Sequence, residues 1–126
     1  MARAAILLFV MLAFSSAVIG AEEWFGSLNR NEIIAETVFV GLAVLDWNQT
    51  LQIAKHPDRY SETNPVIGNH PSTERVNLLM PAGIVLHALV TYALPRTYRP
   101  FWQYVWIGEE TACVYQNWKS GLTVRF

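Results

Sequence analysis

Apolar and polar positions fall in blocks along the chain, and four apolar stretches stand out. The first, Ala4 to Phe14, follows Met1-Ala2-Arg3 and leads through Ser15-Ser16 to Ala21 and then Glu22-Glu23. A basic start, a short apolar run and a small-residue exit form the pattern of a secretory signal, with Ile19 and Ala21 suited to cleavage after Ala21. Ala4 to Ala21 is also free of charge over 18 residues, so an uncleaved anchor is the alternative. Residues 1–21 are therefore read as a signal peptide or signal anchor, and residues 22–126 as a single helical domain.

The three later stretches predict helices. The first spans about Asn31 to Ala54, with its apolar heart from Thr37 to Leu45 flanked by Glu36 and Asp46. The second spans about Val76 to Leu94, and Leu78 to Leu94 holds no formal charge across 17 residues. That is near the length a hydrocarbon core demands. Pro81 near its start and Pro95 at its end fit helix boundaries, and Ser72 suits the N-cap although Arg75 stands where an acid is preferred. The third spans about Pro100 to Ser120, aromatic at Phe101, Trp102, Tyr104 and Trp106 and interrupted by Glu109-Glu110. Between the first two, Lys55 to Arg75 is a polar connector punctuated by Asn64-Pro65, Gly68-Asn69 and His70-Pro71. The final residues, Leu122 to Phe126, alternate in the manner of a strand. The expected fold is all-α: a small bundle of two to three helices after the N-terminal signal sequence, with the second helix of membrane-spanning character.

Composition narrows the classes. Charged residues are 15% of the chain, against about 25% in ordinary soluble domains, which excludes a disordered chain or a highly charged coiled coil. A net charge of −1 leaves no basic footprint for nucleic acid. The single cysteine, Cys113, excludes an internal disulfide and a cysteine-based zinc site. The whole-chain mean hydropathy is only +0.22, and most of that lies in the signal region, so a soluble helical module of the periplasm is the rival of a membrane protein. With a cytoplasmic start and every apolar segment crossing, the signal included, Arg3, Lys55, Arg59, Arg75, Lys119 and Arg125 fall inside and Arg30, Arg96 and Arg99 outside. This agrees with the positive-inside bias and with residence in the inner membrane or, if soluble, the periplasm.

Chemistry-bearing residues are few. Asp46, Gln49 and Thr50 share one helical face with Ile53. In lipid or in a core that face turns toward protein, as an interhelical hydrogen-bond clamp or as a proton-handling carboxylate. In the connector, Glu62 and Asn64 suit hydrogen bonds to the backbone of the turn set by Pro65 and Gly68, or a fold-back against Asp46. On the second helix Gly83, His87 and Thr91 lie four apart, which suits close helix approach. On the third, Trp102, Trp106, Glu109, Cys113 and Asn117 fall near one stripe, and Glu109 is a candidate partner for His87. No spacing matches a metal signature, a phosphate loop or a nucleophile elbow, and neither a metal nor a cofactor is implied.

Asp46-Trp47-Asn48-Gln49-Thr50, Tyr60-Ser61-Glu62-Thr63-Asn64-Pro65 through Gly68-Asn69-His70-Pro71, and Tyr92-Ala93-Leu94-Pro95 with Trp102-Gln103 resemble a group of small uncharacterised bacterial and phage proteins. These share a signal-like start and an Asp-x-x-Gln-Thr … Glu-x-Asn-Pro-x-x-Gly-x-x-Pro pattern. The resemblance covers most of the chain after Asn31, and Asn48 stands where the pattern favours glycine. It implies the architecture but carries no activity. The expected role is that of an envelope or integral membrane protein, in contact with lipid and acting by association with itself or another membrane protein. The alternative is a small membrane enzyme or ion-handling accessory using Asp46 and Glu62.

Overall fold

The computed structural model describes residues 26–124, which form three α-helices and, among the described residues, no strand: α1 (Arg30–Lys55), α2 (Thr73–Ala93) and α3 (Arg99–Lys119). The signal or anchor expected over residues 1–21 lies outside the described residues, as do Arg125 and Phe126. Residues Leu122 to Val124 carry no strand pairing, contrary to their alternation; a single alternating segment has no neighbour to pair with in an all-helical chain.

Each helix has local reasons for its ends. Asn29 opens α1: its Oδ1 accepts the Glu32 amide at 3.0 Å, while Glu32 Oε2 accepts the Asn29 amide at 2.8 Å. This reciprocal pair satisfies two otherwise orphaned donors. Ser72 opens α2 by accepting the Arg75 amide at 3.2 Å, so the hydroxyl caps without an acid three residues on. Pro81 is not at the start of α2 but inside it, because the helix begins at Thr73; the Asn77 carbonyl there loses its ordinary amide partner. Helix α3 closes in a tight reversal: Leu122 N–H donates to Asn117 O and Gly121 N–H to Trp118 O, both at 3.0 Å. Gly121 takes φ +88°, the left-handed turn that this closure requires and that a Cβ disfavours.

Helix α1 is the central element, packing against both α2 and α3, while α2 and α3 touch each other little. Its inner stripe runs Glu32, Glu36, Phe39, Ala43, Asp46, Thr50 and Ile53. Steps of four and three residues alternate along it, the spacing that keeps one seam facing a partner helix. Helix α3 answers with Arg99, Gln103, Trp106, Glu110, Cys113 and Asn117 in the same rhythm. Gly83, expected at a close helix approach, is exposed instead, and a Cβ added there would meet nothing within 4 Å. The stripe of α2 that faces inward carries Val76, His87 and Thr91.

Polar groups are buried beside an apolar core that includes Ala35, Phe39, Ala43, Ile53, Val76 and Trp102, while many large apolar side chains face outward. Glu32, Gln49, Thr50, Glu62, His87, Thr91, Arg99 and Gln103 are buried. Leu78, Val85, Leu86 and Leu89 of α2 are 58–68% exposed. Ile33, Ile34 and Val38 of α1 and Phe101, Tyr104, Tyr115 and Trp118 of α3 are exposed as well. Helix α2 is long and apolar enough to cross a membrane, and only 22% of its most apolar stretch is buried.

Candidate functional site

The buried polar groups form two clusters, one near each end of α1. The cluster near its N-terminal end gathers Glu32 and Glu36 from α1, His87 and Thr91 from α2, and Arg99, Trp102, Gln103 and Trp106 from α3. Glu36 is its hub. Its Oε1 lies 2.8 Å from His87 Nδ1, and its Oε2 accepts from Thr91 Oγ1 at 3.1 Å and from Gln103 Nε2 at 3.0 Å. One carboxylate thus ties all three helices. The Thr91 hydroxyl also lies 2.9 Å from the His87 carbonyl, one turn back, so its hydrogen is shared. Gln103 Nε2 also donates to Glu32 O at 2.9 Å.

Arg99, fully buried, secures the end of the bundle. Its Nε donates to Leu94 O at 2.8 Å, and its terminal nitrogens reach Tyr92 O at 3.1 Å, Gly26 O at 3.2 Å and Glu32 Oε2 at 3.4 Å. The guanidinium fork suits such a convergence of carbonyls and a carboxylate. Arg99 is therefore not one of the loop charges that set orientation; the exposed cations on that side are Arg30 and Arg96.

His87 is enclosed by aromatic rings. Phe39 stacks on it with ring centroids 3.7 Å apart, Trp102 stacks on it at 5.2 Å, and Trp106 meets it edge-on at 6.3 Å. Trp102 and Trp106 also contact each other at 5.4 Å. The expected carboxylate partner of His87 was Glu109, but Glu36 takes that place. The helical rhythm of α3 gives the reason: Gln103, Trp106 and Glu110 follow the inner seam, and Glu109 falls beside it, half-buried.

The second cluster contains most of the residues singled out from sequence, and the structure distributes rather than converges them. Asp46 accepts from Asn117 Nδ2 at 2.9 Å, linking α1 to α3. Gln49 donates toward Val114 O and Leu122 O, each at 3.4 Å. Thr50 Oγ1 donates to Glu62 Oε2 at 3.3 Å, so the connector does fold back on α1, one turn beyond Asp46. Glu62 Oε1 accepts the amides of Thr63 and Asn64, both at 2.8 Å, and Asn64 Oδ1 accepts the Val66 amide at 3.1 Å. Gly68 completes this turn at φ +88°, donating to Asn64 O at 2.9 Å. Asp46 thus bonds Asn117 while Glu62 bonds Thr50 and the connector's own amides, and His87 lies in the first cluster with Glu36.

Sequence reasoning missed Glu36, Arg99 and Gln103 as site residues. The polar face recognised at Asp46, Gln49 and Thr50 continues toward the N-terminus at Ala43, Phe39, Glu36 and Glu32. Following that stripe past its apolar middle would have reached the hub. Among the described residues no group of three metal-ligating side chains comes together. No family model matches the chain, and no curated protein or solved structure matches it either.

Proposed function

We propose that the chain is a small integral membrane protein whose three helices lie within the bilayer and which acts by association with itself or with another membrane protein. Charged and polar groups in the interior beneath an apolar exterior carry this reading. A carboxylate hub, a buried arginine and a buried histidine sit inside, while leucine, isoleucine, valine and aromatic side chains form the exterior. Water as the solvent would favour the reverse arrangement, whereas lipid favours this one, because unsatisfied polar groups in hydrocarbon seek one another.

Dimensions and ornament support it. Helices of 21 residues rise about 32 Å, against a hydrocarbon thickness of about 30 Å. Helix α3 has Tyr98, Phe101 and Tyr104 exposed at one end and Tyr115 and Trp118 at the other, with Lys119 set over the Tyr115 ring. Amphipathic aromatics at both ends suit the two interfaces of a bilayer. Lys55, Arg59, Arg75 and Lys119 gather at the end opposite Arg30 and Arg96. This is compatible with an inner-membrane protein whose α1–α2 connector faces the cytoplasm.

Association is favoured over chemistry at Asp46 and Glu62 because those carboxylates are engaged with Asn117 and with the connector's own backbone. Groups so committed hold the framework, and the outer surface is what meets other molecules. Carbonate extraction followed by crosslinking in native membranes tests the reading. It requires retention in the pellet and a crosslinked species larger than the monomer. Release of monomer into the supernatant would defeat it.

A further inference from the structure

Most buried polar groups answer one another, but three that share one aromatic cluster do not. His87 Nε2, Trp102 Nε1 and Trp106 Nε1 are buried with no hydrogen-bond partner among the described residues. Glu36 fixes what these atoms offer. A carboxylate only accepts, so Nδ1 carries a hydrogen facing Glu36, and Nε2 is the ring nitrogen left for another partner. The indoles present two N–H donors.

These groups do not satisfy each other, and for Trp102 the reason is geometric. Its ring is tilted only 20° from the imidazole. In-plane hydrogen-bonding groups on near-parallel stacked rings do not meet. We propose that His87, Trp102 and Trp106 form a binding site for one hydroxyl group, supplied by a water molecule or by a small lipid-soluble alcohol or phenol. A hydroxyl both donates and accepts, so it answers Nε2 with or without a hydrogen there, and an indole N–H as well. A carbonyl answers donors alone, and an ammonium would leave the indoles unmet. An anion is disfavoured by the Glu36 carboxylate on the far side of the ring, with the Arg99 guanidinium already engaged by Glu32 and three carbonyls. Phe39 and Trp102 stack on His87, and a partner of Nε2 lies at the ring's edge, in its plane.

The test uses the full chain in detergent micelles, isotope-labelled at histidine and tryptophan, with phenol as the probe. The Trp102 and Trp106 indole N–H resonances, assigned by single Trp→Phe variants, are followed by NMR for magnetisation transfer from water and for saturable shifts with phenol. Transfer from water with no phenol response assigns the site to a water molecule. A saturable phenol shift assigns it to a lipophilic hydroxyl. His87→Phe keeps a ring between Phe39 and Trp102 but lacks Nε2, and it should abolish water transfer or weaken the phenol response about fivefold, the loss of one hydrogen bond. Trp106→Phe should do the same while leaving the Glu36–His87 contact in place, and it serves if the His87 variant fails to fold. Indoles that show neither response, or that contact residues 1–25 instead, overturn the proposal.

Discussion

At the scale of single residues, Glu36 has the largest burden. It is the shared acceptor for His87, Thr91 and Gln103, so its removal strands a donor on α2 twice and on α3 once. Deleting one partner of a fully buried ion pair costs about 3–5 kcal/mol, and for the part-buried Glu36 the lower end of that range applies. Glu36→Ala is therefore expected to lower stability by that order, read as a fall in the midpoint of thermal unfolding in mild detergent. Asn64→Ala removes a single bond to an exposed turn amide and is expected to cost about 1 kcal/mol. Equal effects from the two substitutions would contradict the hub assignment. Arg99→Met should resemble Glu36→Ala, because it leaves Glu32 and the carbonyls of Leu94 and Tyr92 without their buried donor.

At the scale of elements, helix ends are set by local chemistry and helix faces by seam spacing. Ser72→Ala removes the cap of α2 and is expected to cost about 1 kcal/mol. Gly121→Ala tests the close of α3. An added Cβ would find Tyr60 Oη at 3.8 Å, an ordinary contact, so space is not the obstacle. The positive φ is, and about 1–2 kcal/mol is the expected loss. Circular dichroism during thermal unfolding distinguishes both from wild type. The polar stripe of α1 was visible in part from Asp46 to Ile53, but its continuation through Phe39 and Ala43 was hidden. Apolar residues there break a search for polar faces although the seam is continuous.

At the scale of the whole molecule, the exterior decides which solvent the fold requires. Leu86 and Leu89 lie well inside α2 and are 62% and 60% exposed. In water a lysine at such a position is nearly neutral, whereas near the middle of a bilayer it costs about 2.5–3.5 kcal/mol on insertion scales. Leu86→Lys is therefore expected to reduce membrane insertion strongly, measured as the carbonate-resistant fraction. Unchanged insertion with unchanged stability would argue that α2 does not face lipid. The same change at Arg30 or Arg96, already exposed cations near helix ends, would be without consequence.

The sequence by itself determined the helical class, the approximate span of each helix, the Ser72 cap and the turn residues of the connector, because these depend on near neighbours along the chain. Periodicity and cap chemistry act over three or four residues and are legible in one dimension. The partners of the buried polar groups were decided only by tertiary structure. Glu36 meets His87 across 51 positions and Gln103 across 67, and local spacing has no means of choosing between Glu36 and Glu109. That choice follows from how the seams of α1, α2 and α3 register against one another.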